Sequence, residues 1–291
     1  MKVVGFTFIR NAIKYEYPIV EAIRSILPLC DQVIVSVGNS EDGTRDLIKG
    51  IDPDKIVINE TIWDDSLRDG GRVLALETDK SYQLIPEDTD WAFYIQGDEV
   101  VHEKYYDNIK AAMEQYKDDP MVEGLLFKYR HFYGSYDYVG DSPRWYRREI
   151  RIVKYNKDVF SYKDAQGFRK RPNDKLKVKL IDAYVHHYGW VKSPDAMQRK
   201  QHAFHKLWHD DQWMEENIGK AEEFDYSGID SLKLYQGTHP KVMSDFLNKN
   251  NWKFDYDLSK NNLRLKDKIK KTIERITGYR IGEYKNYKLL R

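Results

Sequence analysis

One cysteine, Cys30, stands among 291 residues. A single thiol excludes an internal disulfide framework and suits a reducing compartment, so Cys30 is expected as a small buried apolar side chain. Long hydrophobic runs are missing too. The opening stretch MKVVGFTFIR has an apolar run of seven residues before Arg10, too short for a signal-peptide core or a membrane span. A cytoplasmic location is therefore expected. Net charge is nearly absent: 48 Lys+Arg against 47 Asp+Glu leave +1, which removes any global electrostatic reason to bind nucleic acid. Internal repeats and low-complexity tracts are also lacking. Aromatic residues are plentiful. The 22 tyrosines and 7 tryptophans can line a polar cleft with the stacking surfaces that sugars use, or pack long strands.

Short runs rich in β-branched and aromatic residues alternate with helix-period segments through the first half, the pattern of βαβ units around a mostly parallel sheet. The runs are VVGFTFI (3–9), QVIVSVG (32–38), KIVINE (55–60) and WAFYIQ (91–96). Pro18 opens a helix whose Val20, Ile23, Ile26 and Leu27 share a face, and Pro28 closes it. After Gly124 the texture changes to long aromatic, arginine-rich strands, expected as antiparallel additions around an open cleft. Beyond Ser193-Pro194 the chain reads as helical. The expected division is a catalytic domain over 1–192 and a helical C-terminal extension over 193–291.

WAFYIQ runs directly into Gly97, Asp98 and Glu99. In an open α/β sheet, ligands bind beyond the carboxyl ends of strands. Carboxylates there suit Mg²⁺ or Mn²⁺, and Gly97 lets the backbone approach a ligand. The alternative is that one of the acids caps the helix that follows.

The order FTFIRNA, VIVSVGNSEDGT, WAFYIQGDEVVHE resembles the family 2 glycosyltransferases with an A-type (GT-A) nucleotide-sugar-binding fold. Their Ser-x-Asp-Gly-Thr segment is matched by Ser40, Asp42, Gly43 and Thr44. Their Asp-x-Asp metal motif is matched by Gln96-Gly97-Asp98, with an amide in place of the first acid. The resemblance covers roughly residues 1–192. It implies an α/β, Rossmann-like mixed sheet flanked by helices, and an inverting, metal-dependent hexosyltransferase that uses a nucleotide-diphosphate sugar, with UDP as the guessed nucleotide. The acceptor would be a glycan or glycolipid.

The resemblance also implies a late histidine ligand within His-Tyr-Gly-Trp, which selects His187 beside Asp98 for Mn²⁺ or Mg²⁺. Alternation along a strand lets only one of His186 and His187 face the cleft. Deprotonating the acceptor needs a carboxylate opposite the metal; Asp164 in SYKDAQGFRKR is the candidate, with Asp141 as rival and an Asx-turn role as the alternative. Expected donor contacts are Phe8, Arg10, Asn11, Asn39, Asp42, Arg72, Gln96 and Gly97, with Arg148 or Arg151 as further partners for the diphosphate. Trp190 and Gln166 are the expected acceptor contacts.

His202, His205 and His209 resemble a zinc stripe, but no His-Glu-x-x-His spacing accompanies them, and surface or subunit-contact histidines are the expected reading. Residues 260–291 hold eleven Lys/Arg and three Asp/Glu. Within them Leu265, Ile269, Ile273 and Ile276 form an apolar stripe, which either docks on the catalytic domain or touches an anionic membrane surface. A homo-oligomer is compatible with this sequence. Two other function classes remain beside the transferase: a sugar nucleotidyltransferase, whose usual glycine-rich loop is missing after the first strand, and an inert nucleotide- or glycan-binding protein.

Overall fold

The computed structural model describes residues 1–218, 221–249, 251–259 and 262–291. Four of the short apolar runs form a parallel sheet: β1 (Val3–Ile9), β2 (Gln32–Val37), β3 (Ile56–Glu60) and β4 (Trp91–Tyr94), in the spatial order β3-β2-β1-β4. Three helices make the crossovers: α1 (Ile19–Ile26), α2 (Thr44–Lys49) and α3 (Arg72–Tyr82). The face of α1 that packs on the sheet is Ile19, Ala22, Ile23 and Ile26, while Val20 and Leu27 are half-buried. Strand order reverses direction between β1 and β4, which opens a crevice beyond their carboxyl ends. Cys30 is buried against this sheet.

After β4 come β5 (Glu99–Val101), α4 (Tyr106–Tyr116), β6 (Gly124–Tyr133), β7 (Ser135–Gly140) and β8 (Arg148–Lys154). Strand β8 pairs antiparallel with both β4 and β6. A separate three-stranded sheet follows, β9 (Val159–Tyr162), β10 (Gly167–Lys170) and β11 (Asp174–Lys175). The longest strand, β12 (Lys177–Trp190), runs parallel to β6 and antiparallel to β5. The additions are thus not all antiparallel, because the β9–β11 excursion returns the chain to the same end of the sheet before β12 begins. The α/β class with a mixed sheet flanked by helices is what the chain adopts.

Beyond β12 lie α5 (Pro194–His205), α6 (Asp211–Asn217), β13 (Leu232–Leu234), α7 (Ser244–Asn248), α8 (Leu265–Thr277) and β14 (Lys288–Leu289). Segment 193–291 also returns strands to the main sheet, β13 onto β7 and β14 onto β12. Pro at the first turn and a Ser193 side-chain cap start α5; Gly278, at φ +69°, ends α8. None of the helices among the described residues is long and apolar enough to cross a membrane.

The two adjacent acids part company at the end of β4. Glu99 is fully buried and pairs bidentately with Arg151 of β8, Nη2 to Oε1 at 2.7 Å and Nε to Oε2 at 2.8 Å. The Tyr129 hydroxyl of β6 donates a third hydrogen bond to Oε1 at 2.7 Å. Removing one partner from such a pair strands the other charge in the core. Glu99→Gln or Arg151→Met is therefore expected to lower the unfolding free energy in urea by about 3–5 kcal/mol. The Glu99→Gln/Arg151→Met double variant should lose less than the two single changes added together.

Candidate active site

A cavity of about 1100 Å³ opens at the carboxyl ends of β1 and β4. Phe8, Arg10, Asn11, Gln96, Gly97, Asp98, Asp164, His187 and Trp190, all singled out in the sequence, line it. Asn39, Asp42, Arg72 and Gln166 do not. Asp42 is engaged within the fold: Oδ1 accepts from the Thr44 hydroxyl of its own turn at 2.5 Å and Oδ2 from the Lys14 amide at 2.7 Å. Asn39 accepts from the Trp63 amide at 3.2 Å and borders a separate small depression beside Arg45 and Glu60. Arg72 points to solvent at the start of α3, and Arg68 is the arginine that reaches the cavity wall. Gln166 donates to buried Glu149 at 3.3 Å. Arg151 is spent on Glu99, and Asp141 pairs with Lys271 and Lys233.

Asp98 is the centre of the polar wall. Its Oδ2 accepts from Lys200 Nζ at 3.0 Å, and its Oδ1 lies 3.7 Å from His187 Nε2. Lys200 also donates to the Gly189 carbonyl at 2.8 Å and lies 4.9 Å from the Tyr17 ring centroid. Burial alone would raise the Asp98 carboxyl, but the Lys200 and Lys192 side chains beside it hold it well below the usual carboxylate range. Burial, with Lys200 nearby, pulls Lys192 down to about 7.

Gly189 makes this close approach possible. A Cβ there would stand 2.6 Å from Asp98 Oδ2 and 2.8 Å from the His187 ring. At Gly97, by contrast, the space a Cβ would need is filled by Ile9, at 2.9 Å. Gly97 thus makes room for a core side chain while its backbone lines the cavity.

The histidine network fixes which nitrogen faces Asp98. His131 Nε2 lies 2.7 Å from the Tyr146 carbonyl, a pure acceptor, so Nε2 carries the hydrogen. Burial keeps the His131 imidazole neutral, so its Nδ1 presents a lone pair to His187 Nδ1 at 3.1 Å. His187 Nδ1 then donates, and its Nε2 lone pair faces the cavity and Asp98. Burial lowers the His187 pKa too, with Asp98 opposing it. His186 faces the other side of the strand, where it meets Arg130 at 3.0 Å.

A lone pair and a carboxylate oxygen facing one another suit a cation between them. The pair supplies two protein ligands of types that Mn²⁺ accepts, one of them the carboxylate that Mg²⁺ needs. Among the described residues there is no group of three or more His, Cys, Asp or Glu placed to hold a metal. The remaining positions would fall to phosphate oxygens and water.

Gln96, standing where the motif has its first acid, donates to the Ala165 carbonyl at 3.1 Å. A carboxylate could not make that bond. The amide thereby ties the Asp164 loop to the end of β4. Lys163 and Ala165 on either side of Asp164 have φ of +56° and +64°, an uncommon conformation for residues with side chains. Asp164 and the Trp208 ring both close in on Gly71, and burial raises the Asp164 pKa. Arg10 pairs with Asp65 at 2.5 Å and lies 5.6 Å from the Trp63 ring centroid. Asn11 accepts from the Glu41 amide at 2.8 Å, joining the end of β1 to the turn at Ser40.

Lys200, Lys192 and His131 were not singled out in the sequence. Lys200 lies among basic and polar residues of a helix that gives no local sign of which one turns inward. His205 and His209 stack with Trp213 and surround no metal site.

Glu149 is nearly fully buried, and burial, opposed by Arg151, pushes its carboxyl up to about 8. The native protein therefore holds a proton that the unfolded chain releases near pH 4.5, and stability should fall as pH rises between those two values. Glu149→Gln removes this term. Its gain in unfolding free energy over the parent, read from urea titrations, should grow from pH 5 to pH 8, by about 1.4 kcal/mol per pH unit at most; a constant difference would contradict the assignment.

No protein-family model matches the chain, and no curated protein matches it. Among solved structures, S. aureus TarS 1–349 aligns over 70% of this chain and 64% of its own, with TM-score 0.40 and 11% identity; the same segment is solved with UDP. Glucosyl-3-phosphoglycerate synthase from Mycobacterium tuberculosis, in complex with Mn²⁺, UDP and phosphoglyceric acid, aligns over 45% of this chain and 43% of its own, with TM-score 0.30 and 17% identity. A 4-diphosphocytidyl-2C-methyl-D-erythritol synthase from Anaerococcus prevotii aligns over 64% and 89%, with TM-score 0.36 and 10% identity. This chain spans less than two thirds of the TarS and glucosyl-3-phosphoglycerate synthase chains it aligns with. All three are likenesses of fold at low identity.

Proposed function

We propose that the chain transfers a sugar from a nucleotide-diphosphate donor to a hydroxyl acceptor with inversion. The observation that carries this reading is the Asp98, His187 and Lys200 cluster at the β1/β4 crevice, opening into a cavity that also holds Asp164. Arg10, Asn11 and Phe8 at the end of β1 border the donor's place, and Trp190 offers a flat apolar surface to the acceptor.

Asp98 and His187 would hold Mn²⁺ or Mg²⁺. Such an ion supplies positive charge to the departing diphosphate. Lys200 adds a second positive charge from α5, already fixed by Gly189 and needing no rearrangement at the moment of reaction. Asp164 takes the proton from the acceptor hydroxyl. Its raised pKa suits a base that must pick up a proton in the transition state. The acceptor oxygen bonds to the anomeric carbon as that carbon's bond to the diphosphate breaks. The electron pair leaves with the nucleoside diphosphate.

A nucleotidyltransferase would use the same crevice differently. Residues 10–17, where its phosphate loop would lie, contain no glycine; Asn11 and Ala12 carbonyls instead accept from the Tyr15 and Tyr17 amides. The transferase is the favoured reading.

A thermal-shift panel of UDP, GDP, dTDP, CDP and ADP, each with and without Mn²⁺, should show one nucleotide raising the melting temperature, and more so with metal. Asp98→Ala should lose the metal-dependent part. Asp164→Asn should keep nucleotide binding yet lose transfer by about 10²-fold or more. Full transfer by Asp164→Asn would remove Asp164 as the base; no shift with any nucleotide would favour a protein outside nucleotide-sugar chemistry.

A further inference from the structure

Helix α8 is mounted the unusual way round. An amphipathic helix on a globular protein normally turns its apolar stripe inward. Here the inward face is charged: Asp267 is 8% exposed, Lys271 pairs with Asp141, and Glu274 takes Arg147 at 3.1 Å and Arg280 at 2.7 Å. The apolar stripe faces out. Leu265, Ile269 and Ile276 are 76%, 53% and 75% exposed, and Tyr279 just past the helix end is 60% exposed. Spacings of four and seven residues place the three aliphatic side chains on one line.

The charges are sorted with the same logic. Both acids of α8, Asp267 and Glu274, lie on the inward side, and Glu283 beyond it is bound to Arg147 at 2.6 Å. Lys266, Lys268 and Arg275 are exposed on the flanks of the apolar line. An apolar stripe with cations along both margins, and no acid facing outward, matches a surface that is apolar at depth and negative above it. We infer that α8 is a docking surface for an anionic lipid bilayer, with Leu265, Ile269 and Ile276 entering the headgroup boundary and the flanking cations meeting lipid phosphates. A second copy of the chain fits less well, because it would bring two cationic margins together. The inference does not depend on the transferase reading.

The test is co-sedimentation of the full chain with vesicles of phosphatidylcholine containing phosphatidylglycerol, against phosphatidylcholine alone, at low and high salt. The expected result is salt-sensitive binding to the anionic vesicles only. Leu265→Gln/Ile269→Gln/Ile276→Gln, all at exposed positions, should weaken it at least about tenfold while leaving the melting temperature unchanged. Lys266→Glu/Lys268→Glu/Arg275→Glu should abolish it. No binding to anionic vesicles would overturn the inference. So would equal binding by the glutamine variant, or a wild-type dimer that this variant converts to monomer.

Discussion

The buried pair of Glu99 and Arg151 is the interaction on which the polar wall of the cavity depends. Burying two charges is costly unless their geometry is good and their remaining hydrogen-bonding atoms are satisfied. Here two parallel bonds join them, Tyr129 adds a third to the carboxylate, and Arg151 Nη1 donates to the Ile150 and Gln166 carbonyls at 3.0 and 3.3 Å. Glu99 immediately follows Asp98, and Gln166 lies two residues after Asp164. One guanidinium therefore helps to place both carboxylates that the proposed chemistry needs. Glu99 also stands opposite His187 in the β5–β12 register, and the Asp98 carbonyl accepts from the Tyr188 amide at 2.8 Å. The ion pair, the strand register and the histidine pair thus hold Asp98 and His187 as one unit.

Charge balance around Asp98 shapes what else can bind there. One oxygen is taken by Lys200 and the other faces the His187 lone pair, so a divalent ion held here would share the carboxylate with an ammonium group. A single carboxylate between two cations leaves net positive charge, which an incoming diphosphate offsets. Donor and metal should therefore favour one another's binding. Lys200 comes from α5, outside the stretch that carries the family resemblance, and α5 and its following loop close over the crevice: the Gly71 amide bonds to the Leu207 carbonyl, and Arg68 pairs with Asp211 at 2.6 Å.

Much of the fold was legible because its signals are local. Four β-branched runs separated by helix-period segments specify the parallel strands, and period-two alternation correctly put His186 and His187 on opposite faces. Asp42 and Asn39 look like donor contacts in sequence; in the fold Asp42 accepts from Thr44 in its own turn and from the Lys14 amide 28 residues away, and Asn39 accepts from the Trp63 amide 24 residues away. The fate of Glu99 was hidden because its partner lies 52 residues away on β8. Gln96 was read as a lost acid. Its contact with Ala165 shows a gain, a donor aimed at a carbonyl across 69 residues. Periodicity revealed the apolar stripe of α8 without saying which way it faces; that was decided by Asp141 and Arg147, whose charges claim the polar side of the helix.

Those same contacts connect α8 to the cavity. The loop from Asp141 to Arg147 is held on one side by Lys271, Glu274 and Glu283, with Arg280 donating to the Trp145 carbonyl at 2.5 Å. On its other side it supplies the Tyr146 carbonyl that fixes the His131 tautomer, and the Trp145 ring stacks on His131 at 5.0 Å. His131 in turn makes His187 present its lone pair to Asp98. Of the loop's three charged residues, Asp141 and Arg147 pair with α8 and Arg144 with Asp230, so α8 helps to set where the Tyr146 carbonyl stands. A helix that looks peripheral in sequence is, through two ion pairs to this loop and two imidazoles, linked to the cavity wall that carries Asp98 and His187.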